Sequence, residues 1–513
     1  MRGIKSVLFV STLFTLAACG GGGGGGGSNP PPAPPATNAP PSVNAGADTT
    51  ATLPNATVSL TGSATDDGPA TSLGYQWTAN PSTGVTFSAA TSAATSATFT
   101  TAGPYTLTLT VSDGTLTGSD TLTVTVGDAP APAQVWPADD INETDPLHGW
   151  AQVAASSVGM VQGGLDQAAL FAQTVPDTVR DPGSTAKSTG SGMIVRHGQL
   201  VHSWGDIDKT REMKSVTKSM GGIMLLLALD ENQVALTDKG IDRMPGFGTP
   251  PSGNAARAQL ITLAQLATHT SGFQKEDGDP TSFTAVIEFD PGTKWHYSDA
   301  GLNWLADVLT FRYQQDLRDL AQARVWSVLG LNKNASGVAN TDDVSWRTNA
   351  QRPPTRDGGT LQYRELASGI SANVNAMARV GLLFLRDGKW KDTVIVKPES
   401  ITRVKTPLPE NASLQVEPNR PGEKYPNAPT DYGVLWWTNK SGTMANVPKD
   451  TFWAWGLGEE LIVVIPSLDL VIVRNGSQDT ASSTGRIWND NDWDGDVSVL
   501  EGFLNPIVAA TTP

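Results

Sequence analysis

The spacing of apolar residues changes character along the chain. Between residues 42 and 127, short runs alternate strictly, as in Thr57-Val58-Ser59-Leu60 and Thr106-Leu107-Thr108-Leu109-Thr110-Val111, with Gly, Asp and Pro between them. A period of two puts every second side chain on one face, so these runs predict half-buried strands. Several at this spacing predict a small antiparallel β-sandwich. From residue 141 to 513 the pattern mixes helix and strand. Residues 191–204 and 460–473 read as hairpin strands, and 376–385 as a helix. Met220 to Leu229 is apolar on all faces, which a globular domain tolerates only for a helix inside its core. The expectation is an α+β domain preceded by an all-β module.

Ahead of the alternating region, Arg2 and Lys5 precede an apolar run from Val7 to Ala18. That run is too short to span a bilayer as a mature helix, so residues 1–18 read as an export signal. It ends in Leu16-Ala17-Ala18-Cys19, and Cys19 is the one cysteine in the sequence, so no internal disulfide can form. Residues 19–41, with an unbroken glycine run and then a Pro-rich stretch, read as a flexible and then stiffer tether; residues 128–140 form a second linker. The 513 residues suggest two or three domains, and 39% hydrophobic content suffices for folded cores. A net charge of -15 without a Lys/Arg cluster argues against a nucleic-acid partner.

One turn of helix brings residues three apart together, so Ser215-Val216-Thr217-Lys218 sets an amine beside a hydroxyl. Ser184-Thr185-Ala186-Lys187 has the same spacing but no apolar helix behind it. Ser215 opens the buried helix, near the positive end of its dipole, and burial disfavours an ammonium, so Lys218 can take the serine proton. With five histidines and no carboxylate motif beside one, a Ser-His-Asp triad has little support.

Phe289-Asp290-Pro291-Gly292-Thr293-Lys294-Trp295-His296-Tyr297-Ser298-Asp299 resembles the Pro-Gly turn and Tyr-Ala/Ser-Asn motif of the class C β-lactamase, penicillin-binding protein and family VIII carboxylesterase group. Leu266-Ala267-Thr268-His269-Thr270-Ser271-Gly272-Phe273, Ala376-Met377-Ala378-Arg379-Val380-Gly381 and Tyr432-Gly433-Val434-Leu435-Trp436-Trp437 follow that group's order. The resemblance implies a β-lactamase/transpeptidase-like fold, an antiparallel sheet flanked by helices with a helical region. It implies that Ser215 is the nucleophile and that Lys218 and Tyr297 share its proton, a packed aromatic being the plainer reading of Tyr297. Asp299 stands where the group carries Asn, at the pocket, and His269 is expected to be structural. Ala454-Trp455-Gly456-Leu457 falls where the group carries Lys-Thr-Gly or His-x-Gly. Gly456 would then let the strand approach, and the N–H groups of Leu457 and Ser215 would form the oxyanion hole, a register of Gly458 or Glu459 being the alternative. No cation stands at Ala454, and Trp453 and Trp455 beside it suggest an apolar wall.

Esters and simple amides fit such a wall, and alanine at this place is similar to the 6-aminohexanoate-oligomer hydrolase branch. A β-lactamase or D,D-carboxypeptidase, or a non-catalytic surface binding lipoprotein, is the alternative. Trp295, Trp436 and Trp437 line an acyl pocket or are core. Asn44-Ala45-Gly46-Ala47-Asp48, Leu73-Gly74-Tyr75-Gln76-Trp77 and Val111-Ser112-Asp113-Gly114 resemble the PKD family of immunoglobulin-like modules, implying a spacer or a weak carbohydrate or protein contact with a partner the sequence does not name. The Cys19 box resembles that of bacterial lipoproteins, and Gly20 after it implies an outer-membrane destination in the cell envelope. The reaction needs no metal or organic cofactor. Separately, the segment from Asp490 to Glu501 reads as a solvated acidic turn before the final helix, its calcium-loop spacing being the alternative.

Overall fold

The computed structural model describes residues 37–53, 56–68, 73–128, 134–139, 145–178, 190–248, 254–275, 285–332, 343–349, 361–418, 425, 427–458, 460–476 and 497–512. Cys19, the export signal, most of the tether, Ser184–Lys187 and residues 490–496 of the acidic loop lie outside them. The chain divides into two compact units at Ala131 and Pro132.

In the first unit, strands Thr49–Thr52, Thr117–Gly127, Gly103–Ser112 and Gly74–Asn80 form one sheet in that order. Thr57–Thr61, Ala94–Phe99 and Val85–Phe87 form another. Alternation does what it predicts: Tyr105, Leu107, Leu109 and Val111 are buried along one strand, Leu122, Val124 and Val126 along its neighbour. Trp77 fills the core and sends its indole N–H to the carbonyl of Ser92 at 3.2 Å. Tyr105 reaches back to the Thr101 carbonyl at 3.0 Å, the tyrosine corner of immunoglobulin-like sandwiches.

The second unit is built on six antiparallel strands, β1 (Ser191–Arg196), β2 (Gln199–Trp204), β3 (Trp437–Thr438), β4 (Phe452–Gly456), β5 (Glu460–Ile465) and β6 (Leu470–Asn475), in the order β2-β1-β6-β5-β4-β3. Both faces are covered, which is why β5 and β6 read as continuous apolar runs rather than alternating ones. Val464, Val471 and Val473 point to a core shared with helices α2 (Val216–Gly221), α3 (Ile223–Asp230) and α5 (Val374–Leu385). Leu461, Val463 and Ile472 point to the opposite core, with α1 (Gln162–Thr178) and α6 (Ser498–Ala509). Gly381 of α5 sits so close to the sheet that a Cβ would meet Val471 Cγ1 at 2.5 Å.

Helix α4 (Asp299–Tyr313) belongs to the helical part and is buried from Ala300 to Thr310. The single helix expected up to Leu229 is two, meeting at Gly222, where a Cβ would come within 2.5 Å of Leu435. Its apolar turns are buried on every side, as its composition requires.

Candidate active site

Met213 hydrogen-bonds to the Ile370 carbonyl, Lys214 takes a left-handed backbone (φ 46°), and Ser215 then caps α2. This sharp entry turns the serine hydroxyl onto the face of α2 that carries Lys218. Lys218 is 2% exposed, and its Nζ donates to Ser215 Oγ at 2.8 Å and to the Ala367 carbonyl at 2.8 Å. The second acceptor is held in place by Asn303 of α4, whose Oδ1 accepts the N–H groups of Leu366 and Ala367 at 2.9 and 3.1 Å. Thr217 accepts the Ile370 N–H at 3.0 Å, and Ser219 donates to the Leu435 carbonyl at 2.6 Å, so both flanks of the lysine are tied down.

A third partner of Lys218 is Asp299, paired at 2.7 Å through Oδ1, while Oδ2 pairs with Lys275. Burial alone would raise the Asp299 carboxyl; attraction to Lys218 and then Lys275, with their hydrogen bonds, outweighs it and holds the group well below the usual carboxylate range. Residue 299, expected at the pocket wall, is therefore an ionic partner of the lysine.

Tyr297 is buried, with its ring 4.9 Å from Lys218 Nζ and 5.2 Å from Lys275 Nζ. It is stacked on His269 at 4.3 Å and lies parallel to Tyr425 at 5.9 Å. His269 holds the motif at two points: Nδ1 accepts the Ser298 N–H at 3.0 Å, and its carbonyl accepts the His296 N–H at 2.7 Å. Burial first, and the charge of Lys218 second, push its imidazolium well below the ordinary histidine value, so the ring is neutral. Burial, then Tyr297 and Asp299, push the Tyr432 phenol well up.

Gly456 ends β4 against the nucleophile. A Cβ there would lie 2.5 Å from the Met213 carbonyl and 3.2 Å from the Ser215 nitrogen, so a side chain would displace one or the other. Leu457 follows in the turn to β5, whose first residue, Glu460, pairs with Gly456. The apolar wall expected around Ala454 takes a different form. Period-two alternation puts Ala454 in the core beneath α2 and α5, whereas Trp453 and Trp455 occupy the other face of β4, packed on Trp437. Trp436 packs on Phe384 and Phe452 in the core, while Trp295 joins the aromatic cluster of Tyr297, Tyr425 and Trp437. Nor is the site without a second cation, since Lys275 supplies one. Lys275, Asn303 and the Ala367 carbonyl carry no sequence motif; the one available hint was a carboxylate at 299, which needs a partner if buried.

Among the described residues, no group of three or more His, Cys, Asp or Glu side chains is placed to hold a metal. Glu501, the last residue of the acidic segment, lies on α6 and accepts the Ala445 N–H at 3.2 Å. A serine hydroxyl 2.8 Å from a buried amine, with a phenol ring beside them and a glycine-ended strand against the serine nitrogen, can carry out acyl transfer.

Fold and site together define a serine hydrolase of the β-lactamase/transpeptidase class. The chain belongs to the Beta-lactamase family, whose sequence model matches residues 177–494. A PKD-domain model matches residues 45–126. Among curated proteins no relative matches. Similar solved structures include a Bacillus anthracis protein assigned as a 6-aminohexanoate-dimer hydrolase, at 15% identity and TM-score 0.49, covering 73% of this chain and 91% of that one. A Bacteroides dorei protein assigned as a β-lactamase aligns at 16% and 0.48, covering 68% and 99%. Simvastatin synthase from Aspergillus terreus aligns at 18% and 0.46, covering 67% and 98%.

Proposed function

We propose that the protein hydrolyses carboxylic esters or simple amides through an acyl-enzyme. Ser215 Oγ attacks the carbonyl carbon as its proton passes to the Lys218 and Tyr297 pair. The resulting oxyanion is held by the N–H groups of Ser215 and Leu457. The pair then protonates the leaving group; water next attacks the acyl carbon as it gives a proton to the same pair, and the pair returns that proton to Ser215 Oγ as the acid departs. No metal or organic cofactor takes part. The observation that carries this reading is the 2.8 Å contact between Lys218 Nζ and Ser215 Oγ inside the protein. The core position of Ala454, where β4 brings no cation toward the serine, supports an uncharged substrate. Lys275 favours the second reading, a β-lactamase or D,D-carboxypeptidase, since both take anionic substrates; its pairing with Asp299 weighs for the first. Attachment to the outer membrane through a lipid on Cys19 completes the proposal.

The test is labelling by a fluorophosphonate probe, followed by turnover of p-nitrophenyl esters, a 6-aminohexanoate dimer and nitrocefin. Wild-type protein is expected to label and to prefer the ester or amide, and Ser215→Ala to do neither. Labelling of Ser215→Ala at the wild-type rate would remove the serine from the mechanism, and preference for nitrocefin would select the second reading.

A further inference from the structure

Asp299 serves two lysines from opposite oxygens, and the second, Lys275, has no part in the acyl-transfer scheme above. Its main chain grips the same point as its side chain: the Lys275 carbonyl accepts the N–H groups of Asp299 and Ala300 at 2.8 and 3.3 Å. The Lys275 side chain is 28% exposed and that of Asp299 19%, against 2% for Lys218, so the three charges run from the interior toward solvent.

A carboxylate in contact with the lysine of a serine–lysine pair opposes the chemistry, since it holds a proton on the amine that must accept one. A second ammonium on the carboxylate's other oxygen draws off that hold. We propose that Lys275 is a positioning residue for the Ser215–Lys218 pair, its ammonium offsetting the carboxylate that this chain carries at 299, where the motif it resembles has an amide. This inference rests on the serine–lysine reading above.

The other groups facing Asp299 do not change the balance. His269, from the segment after helix Leu263–Ala267, is held neutral by burial and by Lys218, and the Tyr432 phenol is held neutral by burial. Tyr297 offers its ring to both ammonium groups. Two lysines and one carboxylate therefore set the charge of the centre.

A double-mutant cycle separates this role from simple packing. Lys275→Met is expected to lower kcat on a p-nitrophenyl ester about 100-fold, with KM little changed and the acid limb of the rate profile moved to higher pH. Adding Asp299→Asn should return kcat to within about tenfold of wild type, because the carboxylate that needed offsetting is gone. Lys275→Arg keeps the charge and should keep the wild-type pH profile, which also guards against misfolding of the methionine variant. A double variant no more active than Lys275→Met, or an arginine variant with the methionine variant's pH profile, overturns the proposal. Fluorophosphonate labelling of Ser215→Ala is the separate control: if that protein labels, the serine–lysine reading falls, whereas if it does not and the cycle is additive, the role of Lys275 alone falls.

Discussion

Among the described residues, the sandwich of 42–127 buries Ala, Leu, Val and Phe, with Trp77 and Tyr105 turning their polar ends to backbone carbonyls. The serine pocket of the large unit instead buries Ser215 and Lys218 beside Asp299, behind a left-handed Lys214 and next to a left-handed His269. Each of those features costs free energy that an apolar replacement would not. The sandwich is therefore optimised locally, pattern and packing agreeing along its long strands Gly103–Ser112 and Thr117–Gly127. The pocket is held against local preference by the packing around it, as a reactive site must be.

The sharpest way to test that contrast is to remove the pocket's chemistry and leave its packing. Ser215→Ala is expected to lower ester turnover about 10,000-fold or more, and Lys218→Ala by a similar factor. The double variant should be little worse than either, because the two groups act as a unit. Additive losses in kcat would show that they act separately.

The opposite experiment strikes the sandwich. Trp77→Ala removes the largest buried side chain of the first unit and should destabilise that unit by about 3–5 kcal/mol. Ester turnover should stay within about twofold of wild type if each unit stands on its own core. Two transitions in a calorimetric scan, with the sandwich transition alone displaced, is the expected result; a matching fall in turnover would show that the separation is wrong.

Between these extremes lies the backbone approach at Gly456. Gly456→Ala places a Cβ against the Met213 carbonyl and the Ser215 nitrogen, and should cost about 100-fold in kcat with little change in KM, and about 1–3 kcal/mol of stability. A purely structural glycine would show the loss of stability and leave kcat of the folded protein near wild type.

The same contrast explains what could be read from the chain alone. Period two describes the sandwich because each strand needs only its own alternation. Ser215 and Lys218 were equally legible, since three residues on one helical turn is a local relation. Tyr297 and Gly456 came through motifs whose order along the chain was intact. Lys275 and Asp299 are 24 residues apart, in segments joined only by the tertiary fold, and no periodicity links them. The Ala367 carbonyl is main chain and leaves no mark in a sequence. The faces of β4 are a different case, for alternation alone puts Trp453 and Trp455 opposite Ala454.

The smallest effect concerns Glu460, a wholly buried acid at the head of β5, beside Gly456. Burial raises its carboxyl well above the ordinary value, against the opposing pull of the Gly476 N–H, Arg474, Arg211 and Lys214. An unfolded chain gives up this proton near the ordinary glutamate value of about 4.3, whereas the folded chain keeps it to higher pH. Between those two values the folded state binds more protons, so this group's contribution to stability is complete below the lower value and declines as pH rises through the window. Glu460→Gln is neutral at every pH and escapes that decline. Its melting temperature relative to wild type should therefore rise from pH 4 to pH 7. A shift of the opposite sign would mean that Glu460 is ionised and held by Arg474 and Arg211, and the pocket would then bury one more charge than Lys218 and Asp299 already bring to it.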